Sequence, residues 1–120
     1  MLNCSDAVVL FLFLRKKITV EEMKTADYVS KVVEVVSDLT GIDKGEILGR
    51  GKAAEVVDAR WMVVKLAREA GYYPAQIAQV MGISVRHIQA VLAEFDTRMH
   101  YFDSFMRSNY EEAAKLLRSN

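Results

Sequence analysis

The sequence predicts an all-α fold, a helical bundle that contains a helix–turn–helix and ends in an extra helical element. Three observations lead to this class. The 120 residues include one proline and six glycines, so few positions interrupt a helix. Along most of the chain, apolar residues recur three and four positions apart, which is typical of a helix face rather than of a strand. Residues 74–93 carry the small residue, the central glycine and the apolar positions that two crossing helices need.

Composition and charge narrow the class of protein. Hydrophobic residues make up 52% of the chain and charged residues 27%, which is typical of a folded globular protein. Cations and anions number 16 each, so the formal net charge is zero, which counts against a long polybasic tail. Residues 44–68 nevertheless contain six cations and three anions, so the sequence allows a local basic face.

Residues suited to catalysis or metal binding are sparse. Cys4 is the only cysteine, which excludes an intramolecular disulfide and a cysteine-based zinc site. His87 and His100 have no histidine or carboxylate four positions further on. No nucleophile–base pair or paired carboxylates can be identified either. We therefore expect no metal, no cofactor and no enzymatic activity, and a reducing, cytoplasmic compartment.

The segment AVVLFLFLRKK at residues 7–17 is the most apolar part of the chain. Its apolar run is too short to span a bilayer as a helix, and its cations follow the run, whereas a secretory signal places them before it. We therefore expect no membrane association. The segment is predicted either to be a buried helix or strand, or to be an accessory leader (residues 1–17) in front of a domain that begins at residue 18.

Capping signals divide the next part of the chain into helices. The sequence TVEE at residues 19–22 has the form of a capping box and predicts a helix start, and Gly41 predicts its end. Asp43 is expected to cap a short turn, and a long buried helix is predicted over residues 53–71.

The helix–turn–helix is predicted over residues 74–93. Pro74 suits the first position of a helix, Gly82 suits the left-handed conformation of the turn, and Ser84 is expected to cap the second helix. Two unrelated packed helices are the alternative. The buried positions of the second helix are predicted to be Val85, Ile88, Val91 and Leu92.

The outward face of this second helix has the residue types of a DNA-reading surface. Recognition helices place their N-terminal residues at base edges in the major groove. Arg86 matches guanine and Gln89 matches adenine, while Ser84 at the helix N-terminus suits a phosphate. His87 is the remaining candidate contact. For each of these residues, an ordinary exposed side chain is the alternative, most strongly for His87.

The last part of the chain, residues 96–120, predicts an additional helical element. Asn109 and Glu112 have the form of a capping box and predict the start of a terminal helix. An apolar stripe at helical spacing precedes it. We expect either that the terminal helix covers this stripe or that the stripe forms a two-fold homodimer. The stripe consists of Phe95, Met99, Phe102 and Met106.

Three short motifs, ILGRGK, VVDAR and LAREAG, lie within residues 41–71. With the helix–turn–helix that follows, they resemble the C-terminal DNA-binding domain of DnaA, the bacterial replication initiator, over roughly residues 30–95. The resemblance implies a Trp-repressor-like, all-helical domain in which a basic loop reaches the minor groove. It places Arg50 and Lys52 in that loop and Arg60 early in the next helix, all three as candidate DNA contacts.

Two departures from this family alter what the resemblance implies. The family's Asp-His-Thr-Thr signature in the recognition helix is replaced by VRHI at residues 85–88, so a different base-reading code is expected. The family's ATPase module is also missing, since GRGKAAE at residues 49–55 has neither the spacing nor the Ser/Thr of a nucleotide-binding loop. We therefore expect a DNA-binding module, over residues 18–95, that binds no nucleotide.

The sequence supports two functions of different kinds. The leading prediction is sequence-specific binding of double-stranded DNA by a small regulator or a replication accessory of a mobile element or phage. Residues 84–90 would enter the major groove, and Arg50, Lys52 and Lys65 would contact phosphates. The alternative is a helix–turn–helix scaffold that binds another protein, which the zero net charge and the apolar stripe would suit.

The surface around Arg50, Lys52 and Arg86 discriminates between these functions. A continuous basic face there favours DNA, whereas interruption by Glu55 and Asp58 favours a protein partner.

Overall fold

The computed structural model describes residues 20–118, and the regular structure in that range is entirely helical, which confirms the all-α prediction. The predicted leader (residues 1–17) and Thr19 of the first capping box lie outside the described residues. The helices are α1 (Val20–Thr40), α2 (Lys44–Leu48), α3 (Ala54–Glu69), α4 (Pro74–Met81), α5 (Val85–His100) and α6 (Ser104–Arg118).

Helix α1 packs on the rest of the bundle through a face of valines. Val29, Val32, Val33 and Val36 are all buried, because their spacing places them on one side of the helix. Gly41 ends α1 as predicted. It adopts a φ of 78°, a left-handed conformation that side chains disfavour, and its N–H donates to the Ser37 carbonyl at 2.9 Å.

One hydrophobic core joins all six helices, and α2 contributes the buried Ile47 to it. Phe95 of α5 is fully buried within it. Its ring lies 5.3 Å from the ring of Tyr110 and meets Phe102 edge-on at 6.1 Å, measured between ring centroids. These are favourable geometries for aromatic pairs, so α6 and the turn before it are held directly against α5.

The apolar stripe before α6 is buried within the chain. Phe95, Phe102 and Met106 are 0%, 6% and 4% exposed, and Met99 is half-buried. The homodimer predicted through these four residues is therefore wrong, because α6 and the core already cover their apolar surface. The helical hairpin, which was the alternative, is what the structure shows.

Helix α6 begins five residues earlier than the predicted capping box. A carboxylate oxygen of Asp103 accepts from the Met106 N–H at 2.8 Å, so the helix starts at Ser104. Asn109 and Glu112 consequently lie inside α6 rather than at its start. The predicted domain boundary after residue 95 falls within α5, and α6 contributes to the same core as the helices before it.

Tyr110 links α6 to the C-terminal end of α3. Its buried phenol donates to a carboxylate oxygen of Glu69 at 2.8 Å. Burial, together with this hydrogen bond, raises the pKa of the Tyr110 phenol above its usual value of 10.0. The folded protein therefore retains this proton at a pH where the unfolded chain releases it.

Replacing Tyr110 with phenylalanine tests this link. Tyr110→Phe is expected to lower the free energy of unfolding by about 1 kcal/mol near neutral pH, since one hydrogen bond is lost. Because the pKa of the Tyr110 phenol is raised in the folded state, the full stabilisation by this phenol is present below pH 10.0, the usual value. The stabilisation is lost progressively as the pH rises above that value, since the unfolded chain then releases the proton first. The difference between wild type and variant should therefore shrink in alkaline solution, as measured by urea unfolding.

The matched control is Tyr101→Phe, at a tyrosine that is 81% exposed. This change should leave the unfolding free energy nearly the same at every pH. A Tyr110→Phe variant with a pH dependence identical to that of the wild type would contradict the link between Tyr110 and stability.

Candidate nucleic-acid interface

A tight turn joins α4 to α5 where the sequence predicts it. Pro74 is the first residue of α4, and Gly82 ends that helix with φ 69° and ψ 30°. The N–H groups of Gly82 and Ile83 both donate to the Ala78 carbonyl, which closes the last turn of α4. A Cβ atom at Gly82 would meet nothing within 4 Å, so the backbone conformation rather than a lack of space favours glycine here.

The start of α5 is fixed by a side-chain cap and by two core residues. The Ser84 hydroxyl oxygen accepts from the His87 N–H at 3.1 Å, as expected of an N-cap residue. Ile88 and Val91 are buried, as predicted, and they seat one face of α5 on the core. The opposite face is therefore turned to solvent.

Three predicted base-reading or flanking residues share this outward surface. Arg86, His87 and Gln89 are all exposed. Arg86 is the only formally charged residue between positions 74 and 93. The surface that would meet DNA bases is therefore nearly neutral and consists of amide, imidazole, hydroxyl and aliphatic groups around one cation.

Val85 lies at the edge of this surface and not in the core. The prediction that it is buried is wrong, because its side chain is 39% exposed. At roughly 100° per residue, Val85 is rotated about 60° from Ile88, on the side away from Val91. Gln89 follows Val85 by four positions, so these two side chains lie along the same edge of α5.

The loop between α2 and α3 is held by Arg60. Its guanidinium donates to the carbonyl oxygens of Ile47 at 2.8 Å, Glu46 at 3.0 Å and Gly51 at 3.1 Å. Partial burial lowers the pKa of the Arg60 guanidinium below its usual value. The residue that the resemblance suggested as a DNA contact thus has a structural role, which is to fix the loop on both sides of Arg50.

Arg50 and Lys52 project from the loop that Arg60 holds. Both are exposed, and neither forms a hydrogen bond or ion pair with another residue of the range 20–118. They stand directly before the first turn of α3. Their charges are therefore available to an anionic partner at a position that the fold keeps fixed.

Lys65 differs from the other predicted phosphate contacts. It is half-buried, and its ammonium nitrogen lies 5.6 Å from the centre of the Phe95 ring. This is the geometry of a cation–π contact, so Lys65 takes part in the packing of α3 on α5. A phosphate contact by Lys65 stays a prediction.

Arg98 is a residue of this region that sequence reasoning missed. Its Nε atom donates to a carboxylate oxygen of Asp58 at 2.5 Å, and its guanidinium carbon lies 4.9 Å from the centre of the Trp61 ring. Asp58 is thereby paired and does not stand as a free negative charge beside the basic loop. Glu55, in the first turn of α3, remains exposed.

Residues 20–118 carry neither a candidate metal site nor a membrane-spanning helix. That range contains no cluster of three or more His, Cys, Asp or Glu residues that could hold a metal ion. None of its helices is both long and apolar enough to cross a membrane.

Helices α3, α4 and α5, with the glycine turn and the outward face of α5, define a helix–turn–helix. Residues 54–98 match the family model described as a Homeodomain-like domain. The match starts at the first residue of α3 and ends two residues before the end of α5, so it includes α3, α4 and most of α5. Comparisons with curated proteins and with solved structures found no match. The chain therefore carries a helix–turn–helix domain of the DNA-binding kind, which confirms that part of the prediction.

The three hydrogen bonds from Arg60 to carbonyl oxygens lead to a prediction about stability. Arg60→Lys keeps the charge but cannot reach three carbonyls at once, since an ammonium group lacks the fork of the guanidinium. We expect the free energy of unfolding to fall by about 1–2 kcal/mol in urea unfolding. The control is Arg50→Lys in the same loop, which should change it by less than about 0.5 kcal/mol. Equal effects of the two substitutions would show that Arg60 does not hold the loop.

Proposed function

We propose that this protein binds double-stranded DNA sequence-specifically by inserting the N-terminal half of α5 into the major groove. The observation that carries the proposal is the exposed, nearly neutral face of α5 on a helix–turn–helix that matches a Homeodomain-like domain. The proposed role is that of a non-catalytic, cytoplasmic protein, either a small regulator or a replication accessory of a mobile element or phage. It needs no nucleotide for binding.

The start of α5 provides distinct groups for bases and for phosphates. Arg86 presents two parallel donors that fit guanine, and Gln89 presents a donor and an acceptor that fit adenine. The Ser84 oxygen accepts within the cap, but its hydroxyl hydrogen remains able to donate to a phosphate. His87 lies on the other flank of the helix and would contact the opposite side of the groove.

The basic loop supports a second contact with the duplex. In homeodomains, an N-terminal arm reaches the minor groove, while the third helix reads the major groove. Arg50 and Lys52 stand directly before the first of the three matched helices, which corresponds to that arm. The resemblance to the DnaA DNA-binding domain implies the same role for its basic loop. Both comparisons favour contacts of Arg50 and Lys52 with the minor groove or its phosphates.

The structure weakens the case for a protein-binding scaffold. The apolar stripe that would suit such a scaffold is buried, and Asp58 is paired with Arg98. Of the two acidic residues that would interrupt a basic face, Glu55 alone remains exposed and unpaired among the described residues. The zero net charge and the exposed Glu55 are the remaining arguments for a protein partner.

Selection from a pool of randomised duplexes tests the proposal. We expect an enriched sequence that contains a guanine whose recognition depends on Arg86. Arg86→Ala should weaken binding by about 1–3 kcal/mol and remove the preference at that guanine. The control is Arg118→Ala, which removes an exposed arginine at the end of α6. It should leave the affinity and the preference for guanine unchanged. A folded protein that enriches no sequence would contradict the proposal and favour the scaffold.

The basic loop should affect affinity without affecting sequence preference. The double substitution Arg50→Ala and Lys52→Ala should weaken binding to all duplexes alike. It should reduce the slope of log affinity against log salt concentration by about 2, since about one counterion is released per phosphate contact. The control substitutes alanine for the exposed Lys31 and Lys115 on α1 and α6. A loop variant with an unchanged slope would show that the loop does not contact the duplex.

A further inference from the structure

Val85 is an exposed aliphatic side chain among the groups proposed to read DNA bases. Of the large hydrophobic side chains that are exposed in residues 20–118, Val85 is the one in the first two turns of α5. It comes directly after Ser84, which caps the helix, and directly before Arg86. Its exposure follows from the rotation of α5 that Ile88 and Val91 impose.

The surface around Val85 is free of negative charge, and part of it is aliphatic. Gln89 lies one turn further along the same edge, and Ala90 and Ala93 are exposed beside it. There is no carboxylate between positions 74 and 93. An aliphatic side chain on a surface without negative charge can approach bases without electrostatic repulsion from the phosphates on either side of the groove.

The major groove offers one apolar group to such a surface. Adenine, guanine and cytosine present hydrogen-bond donors and acceptors there, whereas thymine also presents its C5-methyl group. A valine at the groove floor leaves polar base edges unpaired unless it meets that methyl group. Contact between the two removes apolar surface of both from water.

We propose that Val85 contacts the C5-methyl group of a thymine and so specifies thymine at one position of the target. This inference rests on the proposed function, because it requires α5 to lie in the major groove. The thymine would lie next to the base that Gln89 contacts, since Val85 and Gln89 share one edge of the helix. Val85 thus acts as a specificity-determining residue beside Arg86 and Gln89.

Exchange of thymine for deoxyuridine isolates the methyl group. The probe is the duplex that the wild-type protein enriches, with each thymine replaced singly by deoxyuridine, which keeps every hydrogen-bonding group. We expect the dissociation constant to rise about fourfold at one position, which is the effect of leaving one methyl group unburied. At the other thymines it should stay constant.

The variant Val85→Ala connects this effect to the side chain. It should bind the thymine and deoxyuridine probes with equal affinity at that position. It should also bind the deoxyuridine probe about as tightly as the wild type, which shows that the variant is folded. Leu116→Ala is the matched control, because Leu116 is 41% exposed on α6 and Val85 is 39% exposed. The control should retain the fourfold discrimination.

The results separate failure of this inference from failure of the proposed function. A wild-type protein that binds no duplex would overturn the proposed function and the inference with it. A wild-type protein that selects a sequence but tolerates deoxyuridine at every thymine would overturn the role of Val85 alone. The role of Val85 would also be overturned if the enriched sequence contained no thymine. It would be overturned likewise if Val85→Ala still bound the thymine probe about fourfold more tightly than the deoxyuridine probe.

Discussion

The burial of one face of α5 is the constraint on which the rest of the structure depends. Ile88, Val91 and Phe95 lie in the core, and Phe95 also contacts the rings of Phe102 and Tyr110. Because a helix is rigid, seating these residues fixes the direction of every other side chain on it. The same contacts bring α6 back over the bundle. The C-terminal element is thus part of what orients the proposed reading surface.

The basic loop is fixed by a different device, a single guanidinium. Arg60 joins carbonyl oxygens on both sides of Arg50, so a loop without regular structure has a defined path. Arg98 likewise connects α5 to the start of α3 through Asp58 and Trp61. The two arginines therefore hold, through polar contacts, the elements that carry the proposed phosphate-binding and base-reading residues. Pre-organised loops lose less entropy when they bind.

Local signals in the sequence were sufficient to predict much of this fold, and non-local contacts explain most of what was missed. Pro74, Gly82 and Ser84 each act on the backbone of their own turn, so the helix–turn–helix could be predicted from spacing. The pair of Arg98 and Asp58 joins positions 40 residues apart, and no local pattern reveals it. Val85 fits the helical spacing of a buried face, but its exposure depends on how α5 is rotated against its neighbours.

The distribution of charge decides what kind of DNA binding this fold can support. A duplex attracts proteins mainly through phosphate contacts, and this attraction is independent of sequence. The proposed interface has one cation at the bases and two in the loop, on a chain with no net charge. We therefore expect the proposed interface to bind DNA of arbitrary sequence only weakly. Discrimination among sequences must then come from contacts at base edges, which gives the uncharged side chains of α5 a larger share of recognition than in a basic protein.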